Sequence, residues 1–229
     1  MPATRHRHVP VLSFVSFLGL VAAALGILTG LPQVVRLVRT PDASGLSYSS
    51  AVLGVLSSAT WLTYGVLLLD PAQLLANVPG VTCALTTAVL SARRLGLRLA
   101  LTWRACAVWG VVVASAAVLG GPAVVGMAAT VVSLVKMLPQ VRTVLRREPL
   151  TGLAPATFFL TQVSATIWTA YGLATGQASV VVCSFVSVVL AGVVLSRRCP
   201  PRAVVRALHH GRWGVPGRLL VRPIVVLAA

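Results

Sequence analysis

The chain is 229 residues long, 57% hydrophobic and only 10% charged, with nineteen lysines and arginines against three acids and a formal net charge of +16. A soluble domain of this size carries roughly 25% charged residues on its hydrated surface, so most of this surface meets something other than water. Nucleic-acid binding, the usual partner of such a charge, is excluded because the arginines gather in short clusters between long apolar runs, the distribution that membrane insertion produces.

A helix needs about 20 mostly apolar residues to cross the hydrocarbon layer. That window predicts seven spans, at 11–35, 47–69, 71–92, 103–120, 121–141, 153–174 and 177–196. Ahead of the first, Arg5 and Arg7 followed by an apolar stretch with Ala22-Ala23-Ala24 resemble a secretory leader. The same span carries a motif that recurs later, so it is expected to be retained. Asp70-Pro71, Gly120-Gly121-Pro122 and Thr175-Gly176-Gln177 read as turns between spans. The final segment, 219–229, is apolar but too short to span.

Seven spans place the termini on opposite sides. One side then holds 17 lysines and arginines and the other only Arg5 and Arg7. The positive-inside bias predicts an outside N-terminus and a cytoplasmic C-terminus in a plasma (inner) membrane.

Leu31-Pro32-Gln33-Val34 recurs as Leu138-Pro139-Gln140-Val141, an offset of 107 that gives twelve identities in thirty-five positions from Leu31 to Gly65. They include Gly45/Gly152, Leu46/Leu153, Ser57/Ser164, Trp61/Trp168, Tyr64/Tyr171 and Gly65/Gly172. Each unit has three helices, so two units joined directly would point in opposite directions, while the basic loop after Pro-Gln requires that they point the same way. The span at 103–120 reverses the chain once. The expected fold is an all-α membrane protein of seven transmembrane helices, two parallel three-helix repeats joined by one linker helix. Its divisions are an N-terminal tail at 1–10, a first repeat at 11–92, a basic loop and linker helix at 93–120, a second repeat at 121–198 and a basic C-terminal tail at 199–229.

The two Pro-Gln motifs, the Ser44-Gly45-Leu46-Ser47 loop and Trp61-x-x-Tyr64-Gly65 resemble the PQ-loop superfamily. Within it, the 3 + 1 + 3 layout is similar to the SWEET sugar transporters, whose half-sized bacterial relatives are the SemiSWEETs. The resemblance covers roughly residues 11–198.

Pro32 and Pro139 each remove a helical hydrogen bond. They read either as fixed kinks or as hinges that let one end open while the other closes, and their paired positions favour hinges. Gln33 and Gln140 cap freed carbonyls or meet solute. Ser57, Trp61 and Tyr64 share one face of the second helix, and Ser164, Trp168 and Tyr171 repeat it on the sixth. Tyr64 and Tyr171 sit near the outer helix ends, where aromatic residues anchor at the interface or gate a path. The tryptophans lie deeper and share their face with Ser57 and Ser164, and the resemblance implies that the indoles stack on sugar rings while these and other polar neighbours meet the hydroxyls. An amide inside a span is costly unless paired, so Asn77 either bonds a neighbouring helix or, as the resemblance implies, binds substrate. Its counterpart is Ser184, which predicts a lopsided site. Lys136 reads more readily as a snorkelling side chain than as a partner for an anionic solute.

Cys83, Cys106, Cys183 and Cys199 form no CxxC pair, and His6, His8, His209 and His210 all lie in the tails. The thiols read as small apolar residues, and neither a metal nor a cofactor is expected. No nucleophile–base pair or phosphate-binding loop suggests an enzyme. The expected activity is facilitative, uncoupled transport of a small polar solute, sugar favoured, by a protein whose partners are that solute and the lipid bilayer, not nucleic acid. Self-association as a homo-oligomer stays open. A proton-coupled amino-acid carrier is the alternative, resting on Asp42, since Asp42, Asp70 and Glu148 are the three acids and all lie in or beside loops. A non-transporting receptor or assembly factor is the third reading.

Overall fold

The computed structural model describes residues 14–39, 48–145 and 155–198. Seven helices occupy them. They are α1 Phe14–Arg39, α2 Tyr48–Leu68 and α3 Pro71–Arg94, then a run Ala100–Leu145 that Gly121 divides into α4 (100–120) and α5 (122–145), then α6 Pro155–Thr175 and α7 Ala178–Arg198. An unbroken helix of 46 residues at 1.5 Å per residue would be about 69 Å long, more than twice the ~30 Å hydrocarbon layer. Gly121, at φ 60 and ψ −155, interrupts it in a conformation glycine adopts without a Cβ clash. Pro122 then opens α5, where its missing N–H costs nothing.

By length and composition, four stretches among the described residues are apolar enough to cross a membrane: Phe14–Leu31, Tyr48–Leu68, Pro71–Arg94 and Thr102–Leu138; Ala178–Val193 is a shorter apolar helix. Large apolar side chains cover the outside, with Val118 85% and Leu119 86% exposed, as lipid contact requires. The helices outrun the hydropathy window chiefly at the arginine-rich end, as in α1 and α5. A basic side chain ends an apolar window, but its stem lets the helix continue into the headgroup region. Both α1 and α5 run through their Pro-Gln dipeptides without ending there.

The fully buried residues are mostly small, such as Ala22, Ala88, Ala92 and Ala129, which lets backbones approach closely. α1 packs on α3 and α6, α2 on α3, α6 on α7, and the run α4–α5 on α2 and α7. α4 lies along α2. The Tyr48 hydroxyl meets that of Thr102, Cys106 packs on the Ala51–Val55–Ala88 cluster, and Trp109 Nε1 donates to Thr60 Oγ1 at 2.8 Å. At the arginine-rich end, Arg94 donates to the Leu37 carbonyl at 2.6 Å and ties α3 to α1.

Residues 107 apart meet matching surroundings. The α2–α3 turn is closed by Asp70 N–H to the Gly65 carbonyl at 2.9 Å, and the α6–α7 turn by Gln177 N–H to the Gly172 carbonyl at 2.9 Å. A Cβ on Gly19 would lie 2.7 Å from Ala72 and 2.8 Å from the Tyr171 ring, and one on Gly126 would lie 2.8 Å from Ser179 Cβ and 2.8 Å from the Tyr64 ring. Gly19 with Tyr171 and Gly126 with Tyr64 are thus equivalent contacts at the 107-residue offset.

Candidate functional site

Between the helices lies a cavity of ≈280 Å³ whose walls include Trp61, Asn77, Ser164, Trp168 and Ser184. These five of the six expected solute-binding residues come from α2, α3, α6 and α7. Ser57 is absent from the lining. It is buried, with its hydroxyl 2.7 Å from that of Ser133 on α5, and the next residue, Ser58, faces the cavity instead.

The two tryptophans are held alike and unalike. Each ring stands edge-to-face against the tyrosine one turn on, with centroids 5.5 Å apart and planes at 90°, in both Trp61–Tyr64 and Trp168–Tyr171. This geometry is favourable for aromatic pairs and braces both indoles, which line the cavity. Trp61 Nε1 also donates to Ser133 Oγ at 2.9 Å. The position matching Ser133 is Gly26, which has no side chain to offer, and among the described residues none accepts the Trp168 N–H. The site therefore presents one indole with its N–H engaged and one with its N–H available.

Asn77 and Ser184 differ in the same way. Asn77 Nδ2 donates to the Gln73 carbonyl at 2.8 Å and to Gln73 Oε1 at 3.1 Å, which leaves the amide oxygen as the atom for a solute hydroxyl. The Ser184 hydroxyl donates to the Val180 carbonyl at 2.6 Å and accepts from Thr169 Oγ1 at 2.9 Å, so its one proton is committed and it can meet a solute only as an acceptor. Further polar lining, from residues that the repeat and motifs do not single out, comes from Thr29, Gln73, Thr161 and Ser187.

Beside the cavity wall at Gln73 stands a cluster centred on Asp70. This residue caps α3, its Oδ1 accepting from the backbone N–H of Ala72 at 2.9 Å and of Gln73 at 3.2 Å, the usual role of Asp before a first-turn proline. The carboxylate also reaches across to α6 and the α6–α7 turn. Tyr171 Oη donates to Oδ1 at 2.8 Å and Gln177 Nε2 to Oδ2 at 2.6 Å. Tyr64, 4% exposed, and Tyr171, 6% exposed, sit beneath it. By sequence Asp70 reads only as a turn residue; its match to Gln177 at the repeat offset is the signal that points further. A second chamber of ≈270 Å³ shares Gly26, Thr29, Ser58 and Gly80 with the first and receives Lys136. For the Pro-Gln motifs the structure gives the helical backbone alone. Asp42 lies outside the described residues.

Comparison with known proteins finds a match to the family model described as "sugar efflux transporter for intercellular exchange" twice along the chain, at residues 13–91 and 123–196, together well over half of it. A sugar transporter SemiSWEET of Leptospira biflexa is 36% identical over 75 residues, which are 33% of this chain and 86% of that protein. Among solved structures, a eukaryotic SWEET transporter superposes with a TM-score of 0.63 at 16% identity, over 81% of this chain and 97% of that one; this likeness is one of fold.

Proposed function

Since the chain belongs to the family of sugar efflux transporters for intercellular exchange, we propose that it carries a sugar or sugar derivative across the bilayer down its own gradient. The observation that supports this best is the convergence of Trp61, Trp168 and Asn77 on one cavity. Two flat indoles suit the apolar faces of a sugar ring, and amide and hydroxyl groups between them suit its hydroxyls.

We read the chain as two parallel three-helix units, 11–92 and 121–198, joined by α4. A half-sized relative that aligns over 86% of its own length to a third of this chain supports the duplication, and so do the matched turns and the crossed glycine–tyrosine packing. In this reading the Asp70 end is extracellular, with the N-terminus, and the arginine-rich end is cytoplasmic, on the strength of 17 basic residues against two. Reporter fusions at both termini test the orientation; a cytoplasmic signal from the N-terminal fusion overturns it.

Alternating access then has a physical form. The Asp70–Tyr171–Gln177 bonds hold the outer end shut while the cavity communicates inward through the glycine-walled chamber. The units rock about Pro32 and Pro139, where each helix lacks one backbone bond, until those bonds break and the inner end closes. Coupling to protons needs a group that titrates between two accessible states. Asp70, the one acid among the described residues, is engaged by two backbone and two side-chain donors, which supports an uncoupled carrier. The test is uptake of labelled sugars and amino acids by proteoliposomes: sugar flux above empty vesicles is expected, and amino-acid flux in its place contradicts the proposal.

A further inference from the structure

All walls of the second chamber but Lys136 come from the first of the two units. Its walls contain Gly26, Gly30, Gly54 and Gly80, and the positions 107 residues on are Ser133, Met137, Thr161 and Ser187. Two of these meet each other where the counterpart space would be, Ser187 Oγ lying 3.6 Å from Met137 Sδ. None of the four glycines is demanded by crowding. A Cβ on Gly26 would meet nothing within 4 Å, and on Gly30, Gly54 and Gly80 its nearest neighbours would be at 3.6, 3.9 and 3.5 Å. What these glycines provide is room.

Lys136, from α5 of the other unit, lines that room. A cation within a span is costly and marks a solute path when it faces the protein interior. Among the described residues no acid stands beside it, since Asp70 is engaged at the opposite end. The Thr29 and Thr87 hydroxyls already donate to the Gly26 and Cys83 carbonyls at 2.7 and 2.8 Å, so neither is free to donate to an anion. The Lys136 ammonium is therefore the charged donor of the chamber. A zwitterionic amino acid would bring its own ammonium into a cavity whose described walls hold no carboxylate. A sugar bearing one carboxylate suits both spaces, which share the wall of Gly26, Thr29, Ser58 and Gly80, with its ring in the tryptophan-lined cavity and its charge at Lys136.

Building on the transport reading above, we propose that Lys136 and the glycine-walled chamber form an anion subsite, and that the transported solute is a sugar acid, a hexuronate, in preference to a neutral sugar.

Counterflow in proteoliposomes of the full chain tests this with labelled glucuronate, glucose, glucose 6-phosphate and alanine. Wild type is expected to move glucuronate at least tenfold faster than glucose, Lys136→Met to lower that ratio at least tenfold, and Lys136→Arg to restore most of it. Because the ratio is taken within one protein, partial loss of folded material does not affect it. Gly30→Met with Gly54→Thr fills the chamber with the second unit's own residues, and is expected to lower the ratio without touching Lys136. Glucose flux with an unchanged ratio in Lys136→Met overturns the subsite and leaves the sugar-transport reading standing. A preference for glucose 6-phosphate or alanine overturns the assigned class. No flux of any sugar overturns both.

Discussion

Tyr171 Oη donates to Asp70 Oδ1 at 2.8 Å across 101 residues of sequence. It joins the sixth helix to the cap of the third and, in the mechanism proposed above, holds the outer end shut. Among the described residues Tyr64, its partner in the repeat, makes no such bond. A hydrogen bond to a charged acceptor contributes about 1.5–3 kcal/mol. Tyr171→Phe is therefore expected to shift the closed end toward open by roughly 10- to 150-fold, and Tyr64→Phe to do much less. A cysteine placed at Ala76 in a chain otherwise free of cysteine, labelled by an impermeant maleimide from the Asp70 side, reads this directly. Equal labelling in the two variants would remove the bond from the gate.

Asn77 and Ser184 occupy matching places on one cavity, but only Asn77 has a polar atom with no partner among the described residues. Asn77→Ala is expected to weaken solute binding by about 1–3 kcal/mol, the cost of leaving a polar group of the solute without its hydrogen bond in a desolvated site. Ser184→Ala removes a hydroxyl already committed to Val180 and Thr169, and should change binding little. Solute-induced quenching of tryptophan fluorescence gives both affinities, and comparable weakening by the two substitutions would contradict the assignment.

The glycines separate into two kinds with opposite expected responses. Gly126→Ala puts a Cβ 2.8 Å from the Ser179 Cβ and 2.8 Å from the Tyr64 ring, and overpacking of that kind costs roughly 1–3 kcal/mol. Gly26→Ser enters open space, so its stability should change by no more than about 0.5 kcal/mol. It sits on the wall shared by cavity and chamber, at the place where Ser133 serves Trp61, and should slow flux by engaging Trp168. Thermal unfolding in detergent alongside flux distinguishes the two. A destabilised Gly26→Ser would mean the gap is structural.

Much of this was legible in the sequence because the membrane imposes a simple rule on length and apolarity. The seven helices and the break at Gly120-Gly121-Pro122 follow from spans and breakers, while the meeting of Trp61, Asn77 and Trp168 is what the family resemblance implies. What stayed hidden depends on which way neighbouring side chains point. Ser57 and Ser58 are equally polar and adjacent, and only packing decides that Ser57 turns to Ser133 while Ser58 faces the cavity. Asp70 looks like a turn residue because capping explains it locally, while its bonds to Tyr171 and Gln177 require the two units to be docked.

The repeat also exposes a mismatch at the turns. Leu69 holds φ 51 where its counterpart Gly176 holds φ 70. A side chain in that region costs about 1–2 kcal/mol, partly offset by the greater chain entropy of glycine, about 0.5–1 kcal/mol. Leu69→Gly is expected to raise the thermal midpoint slightly, with a gain of up to about 1 kcal/mol. A clear fall in the midpoint would show that the exposed leucine contributes to lipid contact more than its backbone costs.

The central claim is that the tryptophan-lined cavity carries a sugar or sugar acid passively across the membrane. Entry of labelled hexose and hexuronate into proteoliposomes, with no pH or sodium difference imposed, tests it most directly. Label is expected to enter faster than in empty vesicles, to stop when inside and outside concentrations are equal, and to lose most of its rate in Trp168→Ala. Entry no faster than in empty vesicles, or accumulation above the outside concentration on imposing a pH or sodium gradient, would contradict it.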